Sequence, residues 1–473
     1  MRTGTGIVNL LLIAALVAAI VGTAPPATAV QSVYDVDVLV VGGTPAGVSA
    51  AIAAARMGAS VVLVEAGPRL GGVITSAWLT TFDMNVGPGG EHLTQGIFLE
   101  LYQRLGISFD RDDAAREFGS AVVHEPGVRT ITNASLVRLQ MEGTRIAGAE
   151  FQHERWRRPF AVRAQLIIDA TDDGDIAAQA GAPYVIGRPG YRSGERWMQA
   201  ATLIFRVGTV IWRRLADEIV QRLQLGDADP RYWGVNGKAA WGFPEAMAHY
   251  RPAHPDIVAY PLNLALQSDG TILINALNVT DVDGLDPISV KAGMAKAVAE
   301  LPRLMAHLRA DVPWFERARL VDYAPALYVR ETRHVVGLYT LTAEDILNQE
   351  VFDDRIAVAS YPIDIHPYVV GWTNPYPPTP IVYTIPFRAI VPKGVDNLLM
   401  ASRALSATSE AHGSARVIPT LISLGQAAGI AAALCAQLGC SPQQVAADPV
   451  LMREVQRSLI GQGAYLGGKP AGP

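Results

Sequence analysis

The sequence predicts an α/β fold, a parallel sheet covered by helices on both faces, joined to a second α+β domain. Three observations predict it. A strand, a glycine turn, a helix and another strand follow one another without a break from Asp35 to Glu65. A second apolar strand, in LIIDATDDGD from Leu166 to Asp175, runs into Ala170, Thr171 and Asp172. Further on, Arg196 to Val207 and Gly270 to Leu277 read as strands of another sheet, and Leu285 to Leu308 has the apolar spacing of a helix.

Taken from the start, residues 1–29 read as a signal peptide. Arg2 precedes an apolar stretch from Ile7 to Gly22, and Ala27-Thr28-Ala29 supplies a small-residue cleavage site. The expectation is a secreted or periplasmic protein. The competing reading is an uncleaved anchor, because the run approaches the ~20 residues that span a bilayer.

Val36 to Val41 is β-branched and apolar on both faces, as a parallel strand between helix layers must be. It ends in Gly42, Gly43, Thr44, Pro45, Ala46 and Gly47. Glycines let the backbone turn sharply and come close to a pyrophosphate, and the helix from about Pro45 to Met57 points free N–H groups at that anion. Small residues along that helix let it lie close on the sheet. The next strand delivers Glu65 eighteen positions after Gly47, where a carboxylate can accept both hydroxyls of an adenosine ribose. Thr44 replaces the middle glycine of GxGxxG. The pattern is that of a Rossmann-like dinucleotide site, and an acid at position 65 argues for FAD or NAD over NADP.

The segment after the acid, AGPRLGGVITSAW, holds Ala66, Arg69, Gly71, Gly72 and Val73. It resembles the second glycine signature of FAD enzymes of the glutathione reductase structural class, whose loop runs beneath the cofactor. LIIDATDDGD is similar to that class's strand end near the adenine, with Asp172 where glycine is commoner. Asn397 to Ala433, containing EAHGSARVIPTLISLGQAAG, resembles the flavin-closing segment of bacterial FAD-dependent oxidoreductases with an AHGSxRVxPT signature. YVRETRHVVGLYTLTAED, from Tyr328 to Asp345, also looks like that group. The resemblance covers blocks near 35–85, 160–206, 325–350 and 380–434. It implies FAD as the cofactor, with Pro419, Thr420, Gly425 and Gln426 on its flavin side.

The expected organisation is a signal peptide (1–29), a discontinuous FAD-binding domain (30–180 and 371–440), a substrate or cap domain (181–370) and a C-terminal tail (441–473). At 473 residues and 50% hydrophobic the chain can bury a large core. Its net charge of −5 and lack of a long basic run give no indication of nucleic acid. Arg155, Trp156, Arg157 and Arg158 read as a solvated hairpin turn. Cys435 and Cys440 lie at the end of an Ala-rich helix and read as a buried or incidentally oxidised pair. No metal is expected at Asp281, Asp283 and Asp286, since the loop lacks EF-hand spacing. No second glycine fingerprint follows, which argues against an NADPH domain.

Flavin chemistry needs a base or acid at the substrate carbon and a group that stabilises negative charge at the flavin. His412 is the expected acid/base and Arg416 the expected anion-holding group, both within EAHGSAR. The helix start at Pro419-Thr420 adds free N–H groups. Arg330, Glu331, Arg333 and His334 read as a salt-bridged support or a second anion-binding wall. Ser360 to Pro386, rich in proline and aromatics, reads as a packed loop or as a wall for substrate, with Tyr368, Trp372, Tyr376 and Tyr383. Glu125-Pro126-Gly127 passes almost directly into Val128, so no helix is expected before that strand. Such a gap would make a degenerate copy conceivable. The resulting expectation is an exported FAD-dependent oxidoreductase that takes hydride from a small organic substrate. Its electron acceptor would be oxygen, a quinone or a partner protein. A non-catalytic flavin-binding protein and an NAD-dependent dehydrogenase are the alternatives.

Overall fold

The computed structural model describes residues 32–189 and 196–467; the signal-peptide reading falls outside them. β1 (Val33–Val41), the turn at Gly42 and α1 (Pro45–Arg56) lead to β2 (Val61–Val64), as the glycine pattern requires. α2 (Ile97–Leu105) and α3 (Arg111–Val123) follow, then β3 (Val128–Ile131). β4 (Ala134–Glu142), β5 (Arg145–His153) and β6 (Phe160–Asp169) complete this part. The seven-stranded sheet runs β3-β2-β1-β6-β5-β4, and a strand at Leu398–Met400 joins β6 from far along the chain. Pairing is parallel from β3 to β6 and antiparallel from β6 to β4. The Arg155–Arg158 cluster forms the β5–β6 turn, with Arg157 and Arg158 exposed.

α3 overturns the expectation of a missing helix. Ala114, Phe118 and Val122 repeat at four-residue spacing and are buried, so the segment has one apolar face. Gly127, at φ +92°, then reverses the chain in four residues, which is why the short EPG link is enough. With α3 covering β3, the argument for a degenerate copy loses its basis.

α4 (Pro287–Asp311) lies where its apolar spacing predicts. Asp286 caps it by accepting from the Ile288 N–H at 2.9 Å, and Asp283 accepts from the Leu285 N–H. These carboxylates therefore have a local structural task. α5 (Ser409–Ala415) leads into α6 (Ile418–Leu438), which is apolar all round and long enough to cross a membrane, yet 89% of its most apolar window is buried inside the protein. That is a core helix. It lies so close on α1 that a Cβ at Gly425 would stand 2.1 Å from the Ala46 carbonyl oxygen, and one at Gly429 2.2 Å from that of Ala50. Cys435 is buried as a free thiol near Cys440, and burial pushes its pKa up.

The second domain is a six-stranded antiparallel sheet. In chain order its strands are β7 (Ala201–Gly208), β8 (Gly234–Asn236), β9 (Ala239–Gly242), β10 (Ile257–Leu266), β11 (Ile272–Val279) and β12 (Arg319–Tyr323). The expected strand from Arg196 to Val207 breaks before Ala201, where the Ala200 N–H bonds instead to the Pro367 carbonyl. α4 packs on this sheet through Leu301, Leu304 and Leu308.

Candidate active site

Two large cavities face each other across a narrow gap. The first, about 1250 Å³, is lined by Gly42, Thr44, Glu65, Ala66, Arg69, Gly72 and Asp172, so most of the predicted nucleotide residues come together there. Thr44 caps α1, its hydroxyl accepting from the Gly47 N–H at 3.2 Å and donating to the Ala170 carbonyl at 3.0 Å. A hydroxyl does at this position what a middle glycine leaves to the backbone, which explains the departure from GxGxxG. Gly47 sits beneath the turn, where a Cβ would meet the Gly42 carbonyl oxygen at 1.9 Å. Glu65 accepts from the Gly43 and Gly67 N–H groups, each at 2.6 Å, and each of its oxygens keeps a second lone pair. The Gly71 N–H donates to the Gly43 carbonyl at 2.7 Å, which clamps the second glycine loop against the first. Arg69 is ion-paired with Asp112 at the rim.

The gap, about 20 Å³, is lined by Thr44, Pro45, Ala46, Val73 and Asp172 from the nucleotide end and by Tyr328, Arg330 and Arg416 from the other. The starts of α1 and α6 both open onto it. α6 has no side-chain cap, so its first-turn N–H groups stay available to an anion, worth about 0.3–2 kcal/mol. Arg403 lies alongside, 2.7 Å from Asp173 and 3.4 Å from Asp172. Burial works against its charge, but the two carboxylates outweigh it and hold the guanidinium protonated. Burial likewise pushes Asp172 up. The Nε atoms of Arg330, Arg403 and Arg416 are buried and have no hydrogen-bond partner among the described residues. Unpaired guanidinium donors and the uncapped start of α6 along one channel suit a dinucleotide whose diphosphate and pyrimidine edge are both acceptors.

The second cavity, about 870 Å³, lies between the second sheet and the loops at 78–84 and 361–374. One wall is apolar, with Ile204, Trp241, Leu264 and Leu273 from the second sheet and Trp78 and Trp372 from loops. The other end carries Asp83, Arg330, Tyr361, Asp364, His366 and Arg416. Arg416 donates to the Asp364 carboxylate at 3.0 Å and to the Tyr328 hydroxyl at 2.9 Å. Burial disfavours the Asp364 anion, yet His366 whenever its ring is protonated, and Arg416 and Arg330 throughout, hold its carboxyl below the ordinary range. Asp83 goes the other way. Burial and Asp364 push it from 3.8 up to about 6, against the pull of Arg416 and Arg330. Two carboxyl groups in one cavity thus titrate apart: Asp364 stays ionised, while Asp83 takes up a proton as the pH falls through about 6.

Several predicted residues lie elsewhere. His412 is 1% exposed, packed edge-on against His334 at 4.8 Å, and lines neither cavity nor the gap. Burial and neighbouring cations push its pKa well down, which leaves a neutral packing residue in place of the expected acid/base. Gly425 and Gln426 serve helix packing, Gln426 accepting from the Ile97 N–H at 3.3 Å. Pro419 and Thr420 are buried behind Ile418 and Leu421, which do line the gap. Arg330 and Arg416 reach both the gap and the large cavity. Glu331 and His334 instead form a buried pair at 2.9 Å. Of Tyr368, Trp372, Tyr376 and Tyr383, Trp372 lines the cavity, joined by Tyr361 from the same segment, while Tyr368 and Tyr383 are buried.

Asp83, Tyr361, Asp364 and His366 were missed as functional residues. A signal existed for the last two. In an extended chain Asp-x-His places both side chains on one side, and YPIDIHPY had already been noted as a wall. Asn85, fully buried, had none. Its amide donates to Thr94 and Thr420, and its oxygen accepts from the Ser360 and Tyr361 N–H groups at 2.8 and 3.0 Å, tying that wall to the start of α6.

A model of the family described as FAD dependent oxidoreductase matches residues 37–459. The chain belongs to that family. It is an FAD-dependent oxidoreductase, and FAD is its cofactor. Among solved structures it is similar to a geranylgeranyl bacteriochlorophyll reductase-like protein from Thermoplasma acidophilum. That match has 14% identity and a TM-score of 0.41, over 92% of this chain and 85% of that one. It is also similar to p-nitrophenol 4-monooxygenase from Pseudomonas putida, at 11% identity and a TM-score of 0.42, over 93% and 91%. A third is the myxobacterial chondrochloren halogenase, at 12% identity and 0.44, over 90% and 79%. No curated protein matches the sequence significantly.

Proposed function

We propose that this FAD-dependent oxidoreductase takes hydride from a small organic substrate held in the 870 Å³ cavity. The observation that carries the reading is the charged end of that otherwise apolar cavity, which meets the nucleotide cavity through the gap at Arg330 and Arg416. FAD supplies a two-electron acceptor when bound. The chain's own residues do the rest. Glu65 and the turn at Gly42 would hold the adenosine half, Arg403 and the uncapped start of α6 would face the diphosphate, and the apolar wall of the second sheet lines the space for the substrate's body. Arg416, fixed by Tyr328 and Asp364, stabilises negative charge at that end of the cavity. The likeness of Gly71-Gly72 and AHGSARVIPT to the glutathione reductase class and its AHGSxRVxPT relatives supports the same placement. Export, read from Arg2 to Ala29, places the enzyme outside the cytoplasm, with oxygen, a quinone or a partner protein as the electron acceptor.

The test begins with the visible spectrum of the purified chain after incubation with FAD and desalting. Flavin bands should survive, bleach with an organic donor in the absence of air and return with an acceptor. Retained bands that no donor bleaches would favour a flavin-binding protein without turnover.

A further inference from the structure

We propose that His366, seated between Asp364 and Asn278, is the base that takes the hydroxyl proton of an alcohol substrate with an extended apolar body. This rests on the reading that the 870 Å³ cavity is where substrate is oxidised.

The hydrogen-bond network fixes the imidazole tautomer. The Asn278 amide nitrogen donates to the Ala276 carbonyl at 3.1 Å, so its oxygen is the atom turned towards Thr202 and His366. Thr202 receives a hydrogen bond from Arg330 at 2.6 Å and gives its own proton to Asn278 Oδ1 at 2.7 Å. That same oxygen lies 3.2 Å from His366 Nδ1, so Nδ1 must be the protonated nitrogen. Nε2 then carries a lone pair. It faces Asp364 Oδ2 at 3.4 Å, two acceptors with room for one proton between them. The backbone of His366 is held as well, its N–H donating to Gln199 at 2.9 Å.

The charges around the ring agree. Burial, Arg330 and Arg416 push its pKa down to about 4, against Asp364, and the edge of Tyr260 closes a further side at 5.3 Å. The imidazole is therefore neutral at pH 7 and free to accept. Once it does, Asp364 stands ready to stabilise the imidazolium.

The step balances. The substrate O–H bond breaks and its proton goes to Nε2, while the O–H electron pair becomes the second bond of a carbonyl. The carbinol hydrogen leaves with its pair as hydride, and the oxidant is FAD. An amine donor fits poorly, because its ammonium form is repelled by Arg330 and Arg416, whereas oxygen gaining negative charge is attracted to them. The apolar wall of Ile204, Trp241, Leu264 and Leu273 supplies the body of the site, and its volume falls within the 300–1,000 Å³ typical of small-molecule pockets.

The test uses the FAD-loaded full chain, mixed without air with benzyl alcohol, cinnamyl alcohol, cyclohexanol and 1-octanol, and separately with benzylamine and succinate. Alcohols should bleach the flavin. His366→Ala should slow this by about 10²–10⁴-fold, with FAD retention and bleaching by dithionite unchanged, and added imidazole should restore part of the rate. The wild-type rate should be flat above about pH 5 and fall as the pH drops through about 4, where the base is protonated. His366→Gln repeats the comparison if the alanine variant does not fold. Nitrogen-15 NMR of labelled histidine in the wild-type protein reports the tautomer without any substrate. Protonation at Nε2 at pH 7, or a His366→Ala rate equal to wild type, would overturn the assignment. Bleaching by benzylamine or succinate alone would remove the alcohol and leave the oxidation reading standing. Bleaching by no donor would remove both.

Discussion

At the nucleotide cavity the frame is largely main chain: the Gly43 and Gly67 N–H groups that fix Glu65, the start of α1, and the glycine turns that let two loops touch. At the 870 Å³ cavity it is side chains, Asp83, Arg330, Asp364, His366 and Arg416, drawn from four separate stretches of chain. The difference matters for what each end tolerates. A backbone site is lost when a Cβ is added and is indifferent to exposed side chains around it. A side-chain site is held by buried polar groups, so removing one group strands its partners.

Gly47→Val should break the first end outright. Its Cβ has the Gly42 carbonyl oxygen at 1.9 Å and Ala170 Cβ at 2.9 Å, and neither can retreat. A loss of about 4 kcal/mol or more is expected, read by thermal unfolding, together with loss of FAD on desalting. Survival of both would show that the turn is less rigid than the packing implies. At the second end Asn85→Ala should cost about 3 kcal/mol, since it strands the buried N–H groups of Ser360 and Tyr361 and the Thr420 hydroxyl. Urea unfolding checks this, and a loss under 1 kcal/mol would show that other groups anchor the wall.

Asp83→Asn should act with a sign. The folded carboxyl titrates near 6, above its ordinary 3.8, so the native state binds the proton more tightly than the unfolded chain. The stability this contributes is fully present below about pH 4 and is lost as the pH rises through about 6. The asparagine variant should therefore gain about 1–2 kcal/mol over wild type at pH 8, a figure discounted for partial exposure, and gain nothing at pH 4. An equal effect at both values would mean that the carboxyl is not strained by burial. The smallest effect belongs to Arg69→Ala. Arg69 is more than half exposed and paired only with Asp112, so stability should move by less than about 0.5 kcal/mol in a melting experiment.

How much was legible follows the same division. Asp35 to Glu65 reads directly because strand, turn, helix and acid are consecutive, and local sterics dictate each of them. Leu285 to Leu308 and the turn at Arg155–Arg158 read well for the same reason. α3 is harder to read although Ala114, Phe118 and Val122 carry its period, because the short link between it and β3 has the look of a deletion. His412 failed differently. Its sequence neighbours, Gly413 and Arg416, look like a ligand loop, but α5 turns the ring inwards against His334, and no local pattern reports which face of a seven-residue helix meets a cavity.

The sequence by itself determined the Rossmann-like half and the cofactor class, because these depend on short-range geometry and on glycines that only certain turns require. Only the tertiary structure decided that His366 lies between Asp364 and Asn278 of β11, the latter 88 residues away in chain order but within hydrogen-bonding reach in space. It alone moved the pKa values of Asp83 and Asp364 in opposite directions. Burial and the field of Arg330 and Arg416 are sums over distant segments, and a linear sequence does not contain those distances.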